Sequence, residues 1–289
     1  MEKLNIPNSF EVEPLLWDKR NEKGKDTICY PCDHFRFQFL CSVFLREVDP
    51  SGSISKKFEE LIVADPDRDM LATIKELTAG IEIKDIGNVL DAGCGSGLPA
   101  RIMNLLGAHV FGCDSADKSL ELAVRNQIQD GTDIQYALAD ITKLPYADAS
   151  MNHVTCISVP PYMPDPGKFF EEARRVLPVG GTFSLSFLHP NLIINPPKGM
   201  PWMRYVAERY PIQENDRLTQ EYTNRFGQVS VATNYYHSVE FYLQALVAAG
   251  FRIKWTQEPV ISEQIIGLSS GWGTDSDYPA MFWVSAEAI

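Results

Sequence analysis

Long apolar runs are missing: nowhere do 18 apolar residues follow one another in the 289, and the opening MEKLNIPNSFEVEP lacks the apolar core of a signal peptide. Basic residues are scarce as well. Lys and Arg number 26 against 38 Asp and Glu, a net charge of −12, with a pI near 4.9. Duplexes and membrane surfaces attract basic faces, so neither nucleic acid nor membrane is expected as a partner. The expectation is a soluble, cytoplasmic protein. Cysteine is sparse too, at positions 29, 32, 41, 94, 113 and 156. Cys29-Tyr-Pro-Cys32 is a C-x-x-C, but no second such pair completes a zinc set. His34 and Cys41 are the nearest candidate ligands, and no thioredoxin-like pattern surrounds it. No metal is expected.

What the chain does contain is 45% hydrophobic residues, enough for a full core, and an informative stretch at 89–97, Val-Leu-Asp-Ala-Gly-Cys-Gly-Ser-Gly. An apolar run ends in Asp91, glycines stand at 93, 95 and 97, and Leu98-Pro99-Ala100 opens a helical segment. This reads as a buried strand, a turn clear of side chains and a helix N-terminus, a place where a ligand can lie against backbone. A dinucleotide turn needs G-x-G-x-x-G, with glycine at 98, where this chain has Leu98.

From 87 to 190 short apolar runs alternate with helical periodicity, as in a parallel α/β sheet. Strands are expected at Asn88–Asp91, His109–Asp114, Ile134–Ala139, Val154–Val159 and Thr182–Leu188, with a final pair at Phe251–Thr256 and Ala280–Ala286. Helices are expected over Leu98–Leu106, after a Ser115 cap with Leu120, Ala123, Val124 and Ile128 inward, and from Asp165-Pro166 with Phe169, Phe170, Ala173, Val176 and Leu177 inward. A further helix runs from a Ser238 cap to Ala249. Residues 1–84 read as a helical cap with one helix opened by Asp65-Pro66, 85–189 as the core, and 237–289 as its completion. Residues 190–236 carry seven aromatics, among them Trp202, Tyr205, Tyr222 and Tyr235. An insertion after a fifth strand lies at the edge where open α/β sheets bind ligands, and reads as a substrate lid.

The glycine motif resembles the nucleoside loop of class I S-adenosylmethionine-dependent methyltransferases, over roughly 85–190 and more loosely 236–286. The phrase Ser158-Val-Pro-Pro-Tyr162-Met-Pro-Asp-Pro, with Arg-Arg-Val-Leu-Pro-Val-Gly-Gly after it, is similar to the small-molecule branch. The resemblance implies a Rossmann-like, seven-stranded, mostly parallel sheet with helices on both faces. It implies S-adenosyl-L-methionine as cofactor, met by Asp91, Gly93, Cys94, Gly95, Gly97, Ser115 and Ser158. Asp114 is placed to accept from the ribose hydroxyls, and Asp140 with Ile141 to meet the adenine. Tyr30 and Arg36 are the nearest equivalents of residues that close over the cofactor's amino-acid end. Amino-methylating enzymes of DNA carry a polar residue before the proline pair, where Val159 stands here.

For the reaction, His189 at the end of the fifth strand is the first candidate base, His237 the second, and Tyr162 a pocket wall. The expected activity is methyl transfer to a small organic acceptor, apolar or aromatic. A protein or peptide methyltransferase, and a non-methylating S-adenosylmethionine-binding fold, remain the alternatives. Trp272 and its Gly/Ser neighbours read as a rim.

Overall fold

The computed structural model describes residues 32–46, 49–65, 69–79, 87–194, 203–223, 229–260 and 279–289. Tyr30, Cys29, Trp202 and Trp272 fall outside these residues, as do the side chains of Cys32, His34 and Tyr222.

Three helices come first: α1 (Cys32–Leu40, running on into a wider turn at Cys41–Leu45), α2 (Ser53–Ala64) and α3 (Met70–Thr78). Then β1 (Asn88–Ala92), α4 (Leu98–Leu105), β2 (His109–Asp114), α5 (Asp117–Asp130), β3 (Ile134–Leu138) and β4 (His153–Ile157) alternate. After α6 (Pro166–Val176) and β5 (Thr182–Leu188) come a short α7 (Asn191–Ile194) and strands β6 (Met203–Ala207), β7 (Arg217–Thr223) and β8 (Val229–Tyr235). Helix α8 (Val239–Ala248) and strands β9 (Phe251–Gln257) and β10 (Met281–Ala288) close the chain.

Seven strands form one sheet in the order β3-β2-β1-β4-β5-β10-β9. The first five are parallel, while β10 runs antiparallel between β5 and β9. Every residue of β4 is buried, as a strand covered on both faces requires. One apolar layer joins α1–α4 to the sheet through Phe37, Phe58, Ile102 and Trp283. The opposite layer joins α6 and α8 through Phe169, Phe170, Tyr242 and Leu246. Phe169, Phe170, Ala173, Val176 and Leu177 are all buried, so the inward face expected of α6 is present. Each buried Phe contributes about 1.5–3 kcal/mol. Reversal of strand order between β1 and β4 opens a crevice at the carboxyl ends of the strands, where α/β sheets hold ligands.

Residues 203–235 make a separate antiparallel sheet in the order β6-β7-β8. Strand β8 packs on the Pro160–Tyr162 turn that follows β4, so the insertion sits over the carboxyl edge. No described helix is long and apolar enough to cross a membrane.

Three local expectations change. Asp65 closes α2 instead of opening a helix, and the next helix is capped by Asp69, whose carboxylate accepts from the Ala72 N–H. Helix α5 begins after Ala116 without a side-chain cap; the Lys118 N–H, within reach of a Ser115 cap, goes instead to Asp117 Oδ1 at 2.8 Å. On α5 the buried side is Ser119, Leu120, Leu122, Ala123 and Asn126. Val124 and Ile128 are exposed, since the helix presents polar as well as apolar residues inward.

Candidate functional site

The turn after β1 is held by its own hydrogen bonds. The N–H groups of Gly93 and Cys94 donate to the Cys113 carbonyl at 2.8 and 3.0 Å, and the Gly97 N–H to the Cys94 carbonyl at 2.9 Å. Gly95 N–H donates to Asp114 Oδ2 at 2.8 Å. Those donors are therefore spent inside the protein, and what the turn offers a ligand is bare backbone surface. Gly95 and Gly97 do different work there. Both have a left-handed φ, +53° and +78°, which costs any other residue strain. A Cβ on Gly97 would stand 2.3 Å from Tyr136 Oη, whereas a Cβ on Gly95 would meet nothing within 4 Å. Gly97 is a packing glycine; Gly95 faces open space.

Asp91, two residues before the first glycine of the turn, is 1% exposed. Burial is the main cause pushing its carboxyl up to about 7, the neighbouring Asp114 adds to the rise, and Arg36 and the Ala100 N–H oppose it. Asp91 Oδ2 is buried with no hydrogen-bond partner. A bare carboxylate oxygen in such a place costs free energy unless a donor or cation reaches it. Arg36, on α1, comes near enough to act on Asp91 electrostatically, so α1 reaches this corner.

Asp114 ends β2, with Oδ2 on Gly95 and Oδ1 on Ala116. Burial raises its carboxyl above the ordinary range, and these N–H groups together with that of Ser115 resist the rise. Both oxygens retain lone-pair capacity for further donors. Cys94 is buried, its Sγ 3.8 Å from the Gly95 carbonyl, and burial pushes its thiol well up, so it packs as a neutral group. Asp140 is exposed beyond β3; its Oδ1 accepts from the backbone and hydroxyl of Thr142, each at 2.8 Å. Ile141 beside it is buried.

The acceptor side begins at the end of β4. Ser158 is left-handed at φ +64° without being glycine, a conformation that gathers at functional turns. Its N–H donates to the Ser186 carbonyl at 2.6 Å. Val159 lies against Gly93, joining this loop to the glycine turn. Tyr162 is half-buried in the turn that β8 covers.

His189 is buried at the end of β5, its Nδ1 accepting from the Asn191 N–H at 3.1 Å. Its Nε2 faces Glu258 at 3.6 Å. Burial lowers its pKa and Glu258 partly restores it. His237 roots the far end of the lid: its Nε2 bonds the Met163 carbonyl at 3.0 Å, and its ring stacks on Phe241. Burial lowers this pKa as well, against Met163, Glu214 and Asp165. The two histidines are thus separate, each held by its own protein partners.

Sequence reading missed Tyr136 and the lid residues Gln220 and Asn234. Tyr136 fills the room that Gly97 and Gly112 leave, a cross-strand fit with no motif. Gln220 and Asn234 are polar residues at inward positions of alternating strands, and that alternation was the available signal.

Residues 90–185 match the family model described as a methyltransferase domain. Over those residues the chain is thus similar to a methyltransferase domain. A curated relative, the ubiquinone biosynthesis O-methyltransferase of Idiomarina loihiensis, is 34% identical over 60% of this chain and 65% of its own length. The chain therefore spans just under two thirds of that relative. Among solved structures, an S-adenosylmethionine-dependent methyltransferase from Mesorhizobium loti aligns with a TM-score of 0.52 and 21% identity, covering 71% of this chain and 93% of the other. One from Clostridium acetobutylicum gives 0.53 at 12% identity, over 70% and 84%. Both share the fold described above.

Proposed function

We propose that this protein binds S-adenosyl-L-methionine against the glycine turn and transfers its methyl group to a small organic molecule held beneath the β6–β8 sheet. The observation that carries the reading is the bare Oδ2 of Asp91, buried near Asp114 and Arg36, two residues before the turn in which Gly95 faces open space. That corner fits a nucleoside bearing a cationic amino-acid tail. Bound there, S-adenosylmethionine would supply an electrophilic methyl group on a sulfonium.

The chain's own residues then divide the work. Asp91 offers its free oxygen to the ammonium, and Asp114 accepts from the ribose hydroxyls while holding Gly95 in place. Asp140, whose Oδ1 is taken by Thr142, has Oδ2 left for the adenine amine, and Ile141 supplies an apolar contact. Ser158 and Tyr162 wall the acceptor side. Positioning and exclusion of water supply most of the acceleration in an in-line displacement. His189 and His237 hold the chamber's edges as positioning residues, because the nitrogens that carry their contacts already face protein groups. A small acceptor is supported by the sheet folded over the carboxyl edge, by the acidic surface and by the small-molecule pathway in the curated relative's name.

The test incubates the protein with methyl-labelled S-adenosylmethionine and a cell extract, then follows label into small-molecule, protein and nucleic-acid fractions. Label in small molecules is the expected result. Label in protein bands, or no binding of the cofactor, would overturn the reading.

A further inference from the structure

Among the buried polar atoms outside the roles assigned so far, three groups stand out. His153 starts β4 against Thr182 and Phe44, and Arg101 pairs with Asp130 and bonds the Gly97 carbonyl. Protein seals both. The third group is on the inner face of the lid.

Register places Tyr205 opposite Gln220, Gln220 opposite Ala232, and Leu218 opposite Asn234. Gln220 and Asn234 are 0% and 1% exposed, so their amides need partners. They find them in series. Asn234 Nδ2 donates to Gln220 Oε1 at 2.7 Å, and Gln220 Nε2 donates to Tyr205 Oη at 2.7 Å. The series runs one way and ends on a hydroxyl that has received a hydrogen bond. No acceptor among the described residues takes the Tyr205 O–H in turn. Burial keeps that phenol protonated, with its pKa raised above the ordinary tyrosine range, and Tyr162 lies near enough to reinforce the rise. Tyr205 packs on the apolar layer that joins α1–α4 to the sheet, and lies near the Tyr162 turn, the wall assigned above to the acceptor.

A donor fixed by a chain of amides, its own hydrogen taken by no described acceptor, fits an oxygen lone pair better than a hydrocarbon surface. Hydrogen bonds in series also polarise one another and fix the hydroxyl's direction. We propose that the Tyr205 O–H recognises the acceptor, and that the acceptor is a ring-bearing small molecule presenting an oxygen to it. Gln220 and Asn234 are positioning residues acting through Tyr205. The proposal rests on the methyl-transfer reading and narrows its substrate class from apolar or aromatic to oxygenated aromatic. A site built to bond an oxygen rejects the analogue lacking it, because its donor would be left unpaired.

Phenol and toluene, which differ at one substituent, are the probes, titrated by NMR with S-adenosylhomocysteine present. Wild type should take phenol about tenfold more tightly than toluene. Tyr205→Phe should lose about fivefold in phenol affinity, leaving toluene and S-adenosylhomocysteine unchanged. Gln220→Leu, which keeps the hydroxyl but releases it, should lose part of the same preference. Equal affinity of wild type for the two probes, binding of neither, or phenol affinity unchanged in Tyr205→Phe would each overturn the proposal. Failure of the folded wild type to bind S-adenosylhomocysteine would instead overturn the methyl-transfer reading beneath it.

Discussion

The two halves of the carboxyl edge are built from opposite electrostatics. Around β1 and β2 a buried carboxyl stands with one oxygen bare, next to a second carboxyl. Over β4 and β5 the buried groups are amides, phenols and histidines held neutral, bonded to one another or to backbone. On the proposed reading the first half meets a cation and the second a neutral molecule. The first half is less stable alone than it could be, since Asp91 Oδ2 has no partner; in the second, His237 Nδ1 is the comparable unbonded atom.

Glycine replacement tests this contrast most severely. Gly97→Ala forces a Cβ against Tyr136 in a left-handed turn and should cost about 3 kcal/mol in chemical denaturation. Gly95→Ala meets no protein atom. Its stability cost should be about 1 kcal/mol, with its main effect on S-adenosylhomocysteine affinity, read by calorimetry. Equal stability losses for the two variants would erase the distinction between packing and ligand-facing glycine.

Asp91→Asn comes next. It should weaken S-adenosylhomocysteine binding by about 30-fold, the scale of a hydrogen bond to a charged group. It should also stabilise the protein at pH 8. The folded carboxyl holds its proton to about pH 7, while the unfolded one releases it near pH 4. Stability from this group is therefore full below pH 4, falls as pH rises to 7, and stays low above. Thermal melts from pH 4 to 8 should show the variant losing that slope. His237, with a lowered folded pKa, works in the other direction: its contribution is present above the unfolded pKa near 6.5 and is lost as pH falls.

The smallest effect is expected at His189. With Nδ1 on the Asn191 N–H and Nε2 toward Glu258, His189→Gln should lower the turnover rate by no more than about threefold. A hundredfold drop with unchanged KM would make it a base that touches the acceptor.

Much of the cofactor half was legible because its determinants are local. The limits of β2 and β5 followed from apolar runs, one between Gly107 and Asp114 and one between Gly181 and His189, and the glycine spacing excluded a dinucleotide turn. Arg36 was placed beside the site by resemblance alone. What failed was set by competition between neighbours: Asp117 took the Lys118 N–H that a Ser115 cap could have met, and Asp69 outcompeted Asp65 because its carboxylate meets a free helix N–H. The lid's inner face stayed hidden for a different reason. Its amides look like surface residues until β7 and β8 pair and turn Gln220 and Asn234 to the same side.

The bond between His237 and the Met163 carbonyl has a mechanical consequence. It rivets the root of the lid to the loop that follows β4, while backbone bonds between Tyr236 and both Asn215 and Asp216 brace the same joint. A sheet pinned at that corner is anchored at one end, and because β8 also packs on the Pro160–Tyr162 turn, strain in the sheet is delivered straight to that turn.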